Sequence, residues 1–119
     1  MVFRHILILT LIFLLVSCSN KDKPLYEPSS KVEGYTVYKE GLDAFEKNDF
    51  FFASKKFDQA ELNFSSVDLA AKSALMSSFS LYAINFYDEA IDNLERFIIK
   101  YPADKNIIYA NYLICIIYF

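Results

Sequence analysis

Apolar and polar positions divide the chain into three stretches. Residues 6–16, ILILTLIFLLV, form eleven positions without a charge, directly after Arg4 and His5. Residues 19–33 are the reverse: Pro24, Pro28, Ser29 and Ser30 stand among alternating charges, with Leu25 and Val32 the aliphatic side chains. From Gly34 onward the period is helical. Tyr35, Tyr38, Leu42 and Phe45 recur at spacings of 3, 4 and 3, one stripe of a helix over 34–47. Asn48 and Asp49 break that pattern, and Asp49 is placed to cap a second helix carrying Phe50, Ala53, Phe57, Ala60 and Phe64. Ser65, Ser66 and Asp68 mark a third helix over 68–84, and Asn85 is a turn residue. A fourth, over 87–101, has Tyr87, Ala90, Ile91, Leu94, Phe97, Ile98 and Tyr101 on one side, and its Asp92 and Arg96 are spaced to pair on the other. Pro102 ends it by disfavouring the helical conformation at Tyr101. Asp104 is placed to cap a fifth helix from about 105 to the end. No segment alternates with period two, and no hairpin signal occurs.

Four helices in two pairs invite a search for repeats. Gly41, Ala53, Phe57 and Ala60 form one set, and Ala90, Leu94, Phe97 and Pro102 a second. Laying Ala53 on Ala90 places Phe57 on Leu94, a shift of 37 residues. Small residues let two helices approach closely while large ones fill the gap to the next pair. Ala53 and Ala90 are therefore expected at close helix contacts, and Ser80 on a less tightly packed face. The pattern resembles the tetratricopeptide repeat, which has a 34-residue period, Gly in its first helix, Ala-x3-Phe in its second and Pro at its end. This chain departs from it by lacking Trp and a Leu-Gly pair, and by carrying Ser78 where the second Gly would stand. The alternative is a generic amphipathic bundle.

The apolar run at the start changes how the rest is read. A positive start, a short hydrophobic stretch and a small-residue cleavage site are the layout of a secretory signal, and eleven residues are too few to span a membrane, which takes about 20. Leu15-Val16-Ser17-Cys18 resembles the bacterial lipoprotein box. That resemblance implies cleavage before Cys18 and its modification by diacylglycerol and a fatty acid. Ser19 then permits transfer to the outer membrane, with the chain lipid-anchored on the periplasmic side. The hydrophobic content of 55% is inflated by the signal. Without residues 1–17, Arg4 is lost, leaving 11 basic against 15 acidic residues, a side-chain charge of −4. An acidic balance does not suit nucleic acid.

The candidate chemistry is thin. His5 is the one histidine and lies in the signal. Beyond residue 18 the one cysteine is Cys115, between Ile114 and Ile116, expected as a buried small apolar side chain. No cysteine–histidine zinc site can be assembled, and Gly34 and Gly41 are too few for a phosphate-cradling loop. Asp88, Glu89, Asp92 and Glu95 read as the wet face of a helix. No catalytic residue, metal ligand or cofactor is expected.

Residues 86–102 (FYDEAIDNLERFIIKYP), 106–113 (NIIYANYL) and 55–61 (KKFDQAE), together with the lipobox and tether, resemble the BamD family, also called ComL. Members are tetratricopeptide lipoproteins of the machine that inserts β-barrels into the bacterial outer membrane. The resemblance implies an all-α superhelix of helical hairpins over 34–119, preceded by a signal over 1–17 and a lipidated tether over 18–33. It implies no enzyme. The expected role is a scaffold of the barrel-assembly complex, with BamA, its other subunits and unfolded outer-membrane proteins as partners. In such repeats the groove is lined by the first helix of each unit, here Tyr35, Tyr38, Leu42 and Phe45, then Lys72, Leu75, Phe79 and Tyr82. The family has about five repeats, and the apolar stretch 107–119 carries no polar cap. A chain truncated in its third repeat is therefore expected, without the later repeats that contact BamA; a short homologue whose last helix packs on a partner is the alternative. Another tetratricopeptide envelope lipoprotein, serving the cell wall or as a secretin pilotin, or an accessory helical domain of an enzyme, are the competing functions.

Overall fold

The structure is a computed structural model and describes residues 29–119; the signal over 1–17, Cys18 and most of the tether lie outside the described residues. Five helices and no strand are found among the described residues: α1 (Ser29–Glu46), α2 (Phe50–Asn63), α3 (Val67–Ala83), α4 (Tyr87–Lys100) and α5 (Ile107–Tyr118). α1 begins at Ser29, ahead of Gly34 where the helical period becomes legible. None of these helices is long and apolar enough to cross a membrane.

The two hairpins end and turn in the same way. Asn48 and Asn85 both adopt left-handed backbone, at φ 59° and 63°, a conformation asparagine tolerates better than most side chains. The following amide bonds back into the helix it leaves: Asp49 N to Ala44 O at 2.9 Å, and Phe86 N to Leu81 O at 3.0 Å. Asp49 then caps α2, its Oδ1 accepting from Phe52 N at 3.3 Å. Phe86, the residue in the same place before α4, has the same backbone but no side-chain acceptor. α1 and α3 end, and α2 and α4 begin and end, at positions 37 residues apart. The register read from Ala53 and Ala90 is therefore the register of the fold.

That register sets the packing. Ala53, Phe57 and Ala60 on α2 are wholly buried, as are Ala90 and Leu94 on α4, with Phe97 almost so. Gly41 lies against Phe57: a Cβ there would stand 2.9 Å from two ring carbons. Ser78, 37 residues on, is buried in the matching place. α3 packs on both α2 and α4, so its buried positions run round most of its circumference and its amphipathic stripe is faint. This overturns the expectation for Ser80, which is fully buried because the middle helix of the stack has no loose side there. Its hydroxyl donates to Met76 O at 2.8 Å, and those of Ser73 and Ser78 to Leu69 O and Ala74 O, so the serines enter the interior with their donors satisfied.

α5 packs on α4 through Ala110 and Leu113, with Ile107, Ile114 and Ile117 half-buried against the same core and its other side exposed. Cys115 is exposed, contrary to its expected burial, because it lies off the face that meets α4. Asp104 does not cap the fifth helix. Its Oδ1 accepts from the amide and side chain of Asn106 at 2.8 and 2.9 Å, closing a turn one residue before the helix starts.

Candidate functional site

α1 and α3 are the first helices of the two hairpins, and the side chains expected to line a groove meet where those helices run side by side. Tyr38, Leu42 and Phe45 on α1 are half-buried, as are Leu75, Phe79 and Tyr82 on α3. The ring centroids of Phe45 and Phe79 are 5.9 Å apart, and those of Phe79 and Tyr82 6.1 Å. The chain of rings extends to Phe50 through Phe45 at 4.9 Å, and to Tyr87 through Tyr82 at 5.9 Å. Lys72 places its ammonium 5.6 Å from the centre of the Tyr38 ring, which joins the charged member of the set to its aromatic part. Tyr35 stands apart at the far end of α1. It is half exposed and meets the edge of Phe64 at 5.2 Å.

The face is thus partly structural. Tyr38, Leu42 and Phe45 pack with Met76 around Ala44, Ala53 and Phe57. They remain half-buried, with Lys72 beside Tyr38 at one end of the face. The aromatic geometry suits an apolar or aromatic segment laid across the two helices, because rings with few torsions lose little entropy on contact.

Beside Lys72 and Leu75 a cleft of about 620 Å³ opens between α3 and the loop before α5. Asp68, Leu69 and Met76 complete its α3 wall, and residues 103–106 form the other. Sequence reasoning missed Leu69 and Met76, although both lie on the α3 stripe that carries Lys72, Leu75 and Phe79. The loop wall had no sequence signal, since its place depends on how α4 returns.

A second cluster ties the hairpins together on the other side. Glu61 on α2 is buried, and its Oε1 accepts from Lys100 Nζ at 2.6 Å and from Tyr101 OH at 2.7 Å. Arg96 Nη2 lies 3.8 Å from Oε2, so the pairing expected between Arg96 and Asp92 is replaced by one across helices. The hydrogen bond it donates to Glu61 holds the Lys100 ammonium above its ordinary pKa, against a smaller desolvation effect. Burial, then the bond to Glu61, raises the Tyr101 hydroxyl. With every charge in it paired, the cluster is a clasp rather than a reactive site. No group of three or more His, Cys, Asp or Glu side chains that could hold a metal ion occurs among the described residues.

Comparison with known proteins agrees with this architecture. The outer membrane protein assembly factor BamD of Rickettsia prowazekii is 31% identical over 84 residues, covering 71% of this chain and 34% of that protein. BamD of Caulobacter vibrioides is 32% identical over 83 residues, covering 70% of this chain and 27% of that protein. The chain spans about a third or less of the length of these relatives. No solved structure gives a significant match. The family model described as outer membrane lipoprotein, YfiO, matches residues 31–119, which run through all five helices. By that match, and with a tetratricopeptide-like stack of hairpins, the chain belongs to the YfiO family of outer membrane lipoproteins.

Proposed function

We propose that this chain is an outer-membrane protein assembly factor: a lipid-anchored, non-enzymatic scaffold that receives unfolded barrel precursors on the face shared by α1 and α3. The observation that carries the reading is the row of rings from Phe45 through Phe79 to Tyr82, extended by Lys72 over Tyr38, in a chain of this family. Transmembrane barrel strands alternate apolar with polar positions and carry aromatic girdles, and a half-buried aromatic ladder with one cation beside it is complementary to such a segment. The anchor is the lipidated Cys18, which follows an eleven-residue apolar run. Two or more acyl chains hold a protein on a membrane where one is marginal. BamA and the other barrel-assembly subunits are the proposed partners.

The test is site-specific photo-crosslinking in the intact envelope. A photoreactive side chain at Tyr35 or Lys72 is expected to capture barrel precursors or barrel-assembly subunits, and one at the exposed Gln59 on α2 is not. Capture of peptidoglycan enzymes or secretins at the same positions would favour the other envelope lipoproteins, and equal capture of precursors at Gln59 would sink the assigned face. Cys18→Ser is expected to abolish fatty-acid labelling; undiminished label would remove the anchor from the proposal.

A further inference from the structure

The exposed apolar side chains of the two hairpins sort by end. α1 and α2 run antiparallel, since Gly41 lies against Phe57 and Gly34 against Phe64. α2 and α4 run the same way: Phe51 meets Phe86 near where both begin, and Glu61 meets Lys100 near where both end. One end of the stack therefore holds the start of α1, the ends of α2 and α4 and the start of α3. The other holds the turns at Asn48 and Asn85. Between residues 50 and 100 the exposed aromatic side chains, Phe51, Phe52, Phe86 and Tyr87, lie at the turn end. The exposed aliphatic ones, Leu62, Val67 and Ile99, all lie at the opposite end. Leu62 and Ile99 hold the same place in the two hairpins, 37 residues apart, and both are 80% exposed; Val67 is 69% exposed. Leu62 keeps that exposure with the second hairpin stacked on its own, so stacking leaves this position open. By the same register, a hairpin stacked on the second leaves Ile99 open in turn.

We propose, on the basis of the lipid anchor at Cys18 put forward above, that this end of the stack rests on a phospholipid bilayer surface. Leu62, Val67 and Ile99 enter the boundary between headgroups and acyl chains. The chain enters α1 at the same end, at Ser29, eleven residues after Cys18, a span of at most about 40 Å. The turn end lies a helix length further, about 20 Å for the 14 residues of α2. Arg96 and Lys100 converge on the buried Glu61, the neighbour of Leu62, and both stay half-exposed. A charged head on an apolar stem suits the phosphate level of a bilayer. Glu33 and Asp68, exposed at this end, offset that charge, so the aliphatic side chains carry the contact. A protein surface is the less suited occupant. Protein interfaces concentrate aromatic rings and are poor in lysine, and Phe51, Phe52, Phe86 and Tyr87 are at the turn end.

The test uses the full lipidated chain in vesicles of phosphatidylethanolamine and phosphatidylglycerol that contain a lipid with a nitroxide near its headgroup. In a Cys115→Ser background a fluorophore is attached through Ile99→Cys or, as the control at the turn end, through Asp88→Cys; both positions are exposed. Flotation with the vesicles reads the anchor, and quenching by the nitroxide reads the contact. Quenching at position 99 is expected to exceed that at 88 at least threefold and to persist in high salt. Leu62→Asp with Val67→Asp, at side chains the fold leaves in solvent, is expected to reduce it to the level at 88. Chains that float without excess quenching at 99 overturn the contact and leave the anchor standing; chains that do not float overturn both. Excess quenching that survives the two aspartates overturns the proposal as well, because the tether alone then sets the orientation.

Discussion

Gly41→Ala tests a close approach of α1 and α2. An added Cβ would stand 2.9 Å from both Cδ1 and Cε1 of Phe57 and 3.3 Å from Lys56 Cβ. Carbon atoms prefer about 3.5–4.0 Å, so the ring must retreat by about 0.6 Å or more. It has no room: Phe57 is wholly buried, with Ala53 and Ala44 in the same cluster and the Tyr38 ring 5.3 Å away. Two effects oppose each other. Alanine favours the helix over glycine by about 1 kcal/mol, and overpacking a filled core costs about 1–3 kcal/mol. The expected net is a loss of about 1 kcal/mol, or roughly 4–8 °C in Tm for a domain of this size. Ser78→Ala, at the matching place in the second hairpin, is the control. A Cβ is already accommodated there and the hydroxyl bonds to its own helix at Ala74 O, so the change is expected within about 0.5 kcal/mol. Combining Gly41→Ala with Phe57→Leu, the residue type that stands 37 positions on at Leu94, should recover much of the loss. Thermal melts followed by circular dichroism decide. If Gly41→Ala raises Tm, the helices of the first hairpin do not approach as described and the small-to-large logic of the repeat is wrong.

Three further outcomes follow from the packing and the clasp. Glu61→Gln removes the charge that Lys100 and Tyr101 share and should cost about 1–3 kcal/mol in thermal or urea unfolding; a neutral result would mean the clasp is idle. Lys100 and Tyr101 both hold their protons more tightly in the folded chain, so their contribution is complete below their unfolded values near pH ~10 and is lost as pH rises through the raised ones. Stability measured from pH 8 to 11 should therefore fall at the alkaline end, and less steeply in Glu61→Gln; parallel curves would contradict the assigned cause. Ala90→Leu, at a wholly buried helix contact, should cost about 1–3 kcal/mol, whereas leucine at the exposed Asp92 should change stability by less than about 0.5 kcal/mol.

Where sequence reading succeeded and failed follows the range of the interaction involved. The Asn48 and Asn85 turns, the Asp49 cap and the Ala53–Ala90 register are local events. The turns and the cap depend on residues within a turn of one another, and the register on a local spacing that recurs 37 residues on, so composition and spacing express them directly. The groove side chains were legible as a stripe, but not that Tyr38, Leu42 and Phe45 spend part of their surface on Phe57 and Met76, since that depends on which helix lies opposite. Arg96 illustrates the difference. Its spacing from Asp92 satisfies the helix-pair rule, yet it turns to Glu61 on another helix, where a carboxylate buried by the fold has more to gain from a cation than a solvated one does.

By itself, then, the sequence determined an all-helical chain of paired helices, their boundaries to within a few residues, and the 37-residue register that aligns one hairpin with the next. It did so because helical period, turn residues and small-to-large spacing are written in consecutive positions. The tertiary structure alone decided that Ser80 is buried, that Cys115 is exposed, and that Glu61 draws together Lys100 and Tyr101 from about 40 residues away. Burial belongs to neighbours rather than to residue type: a serine enclosed between two helices is core, and a cysteine on an uncovered helix face is surface.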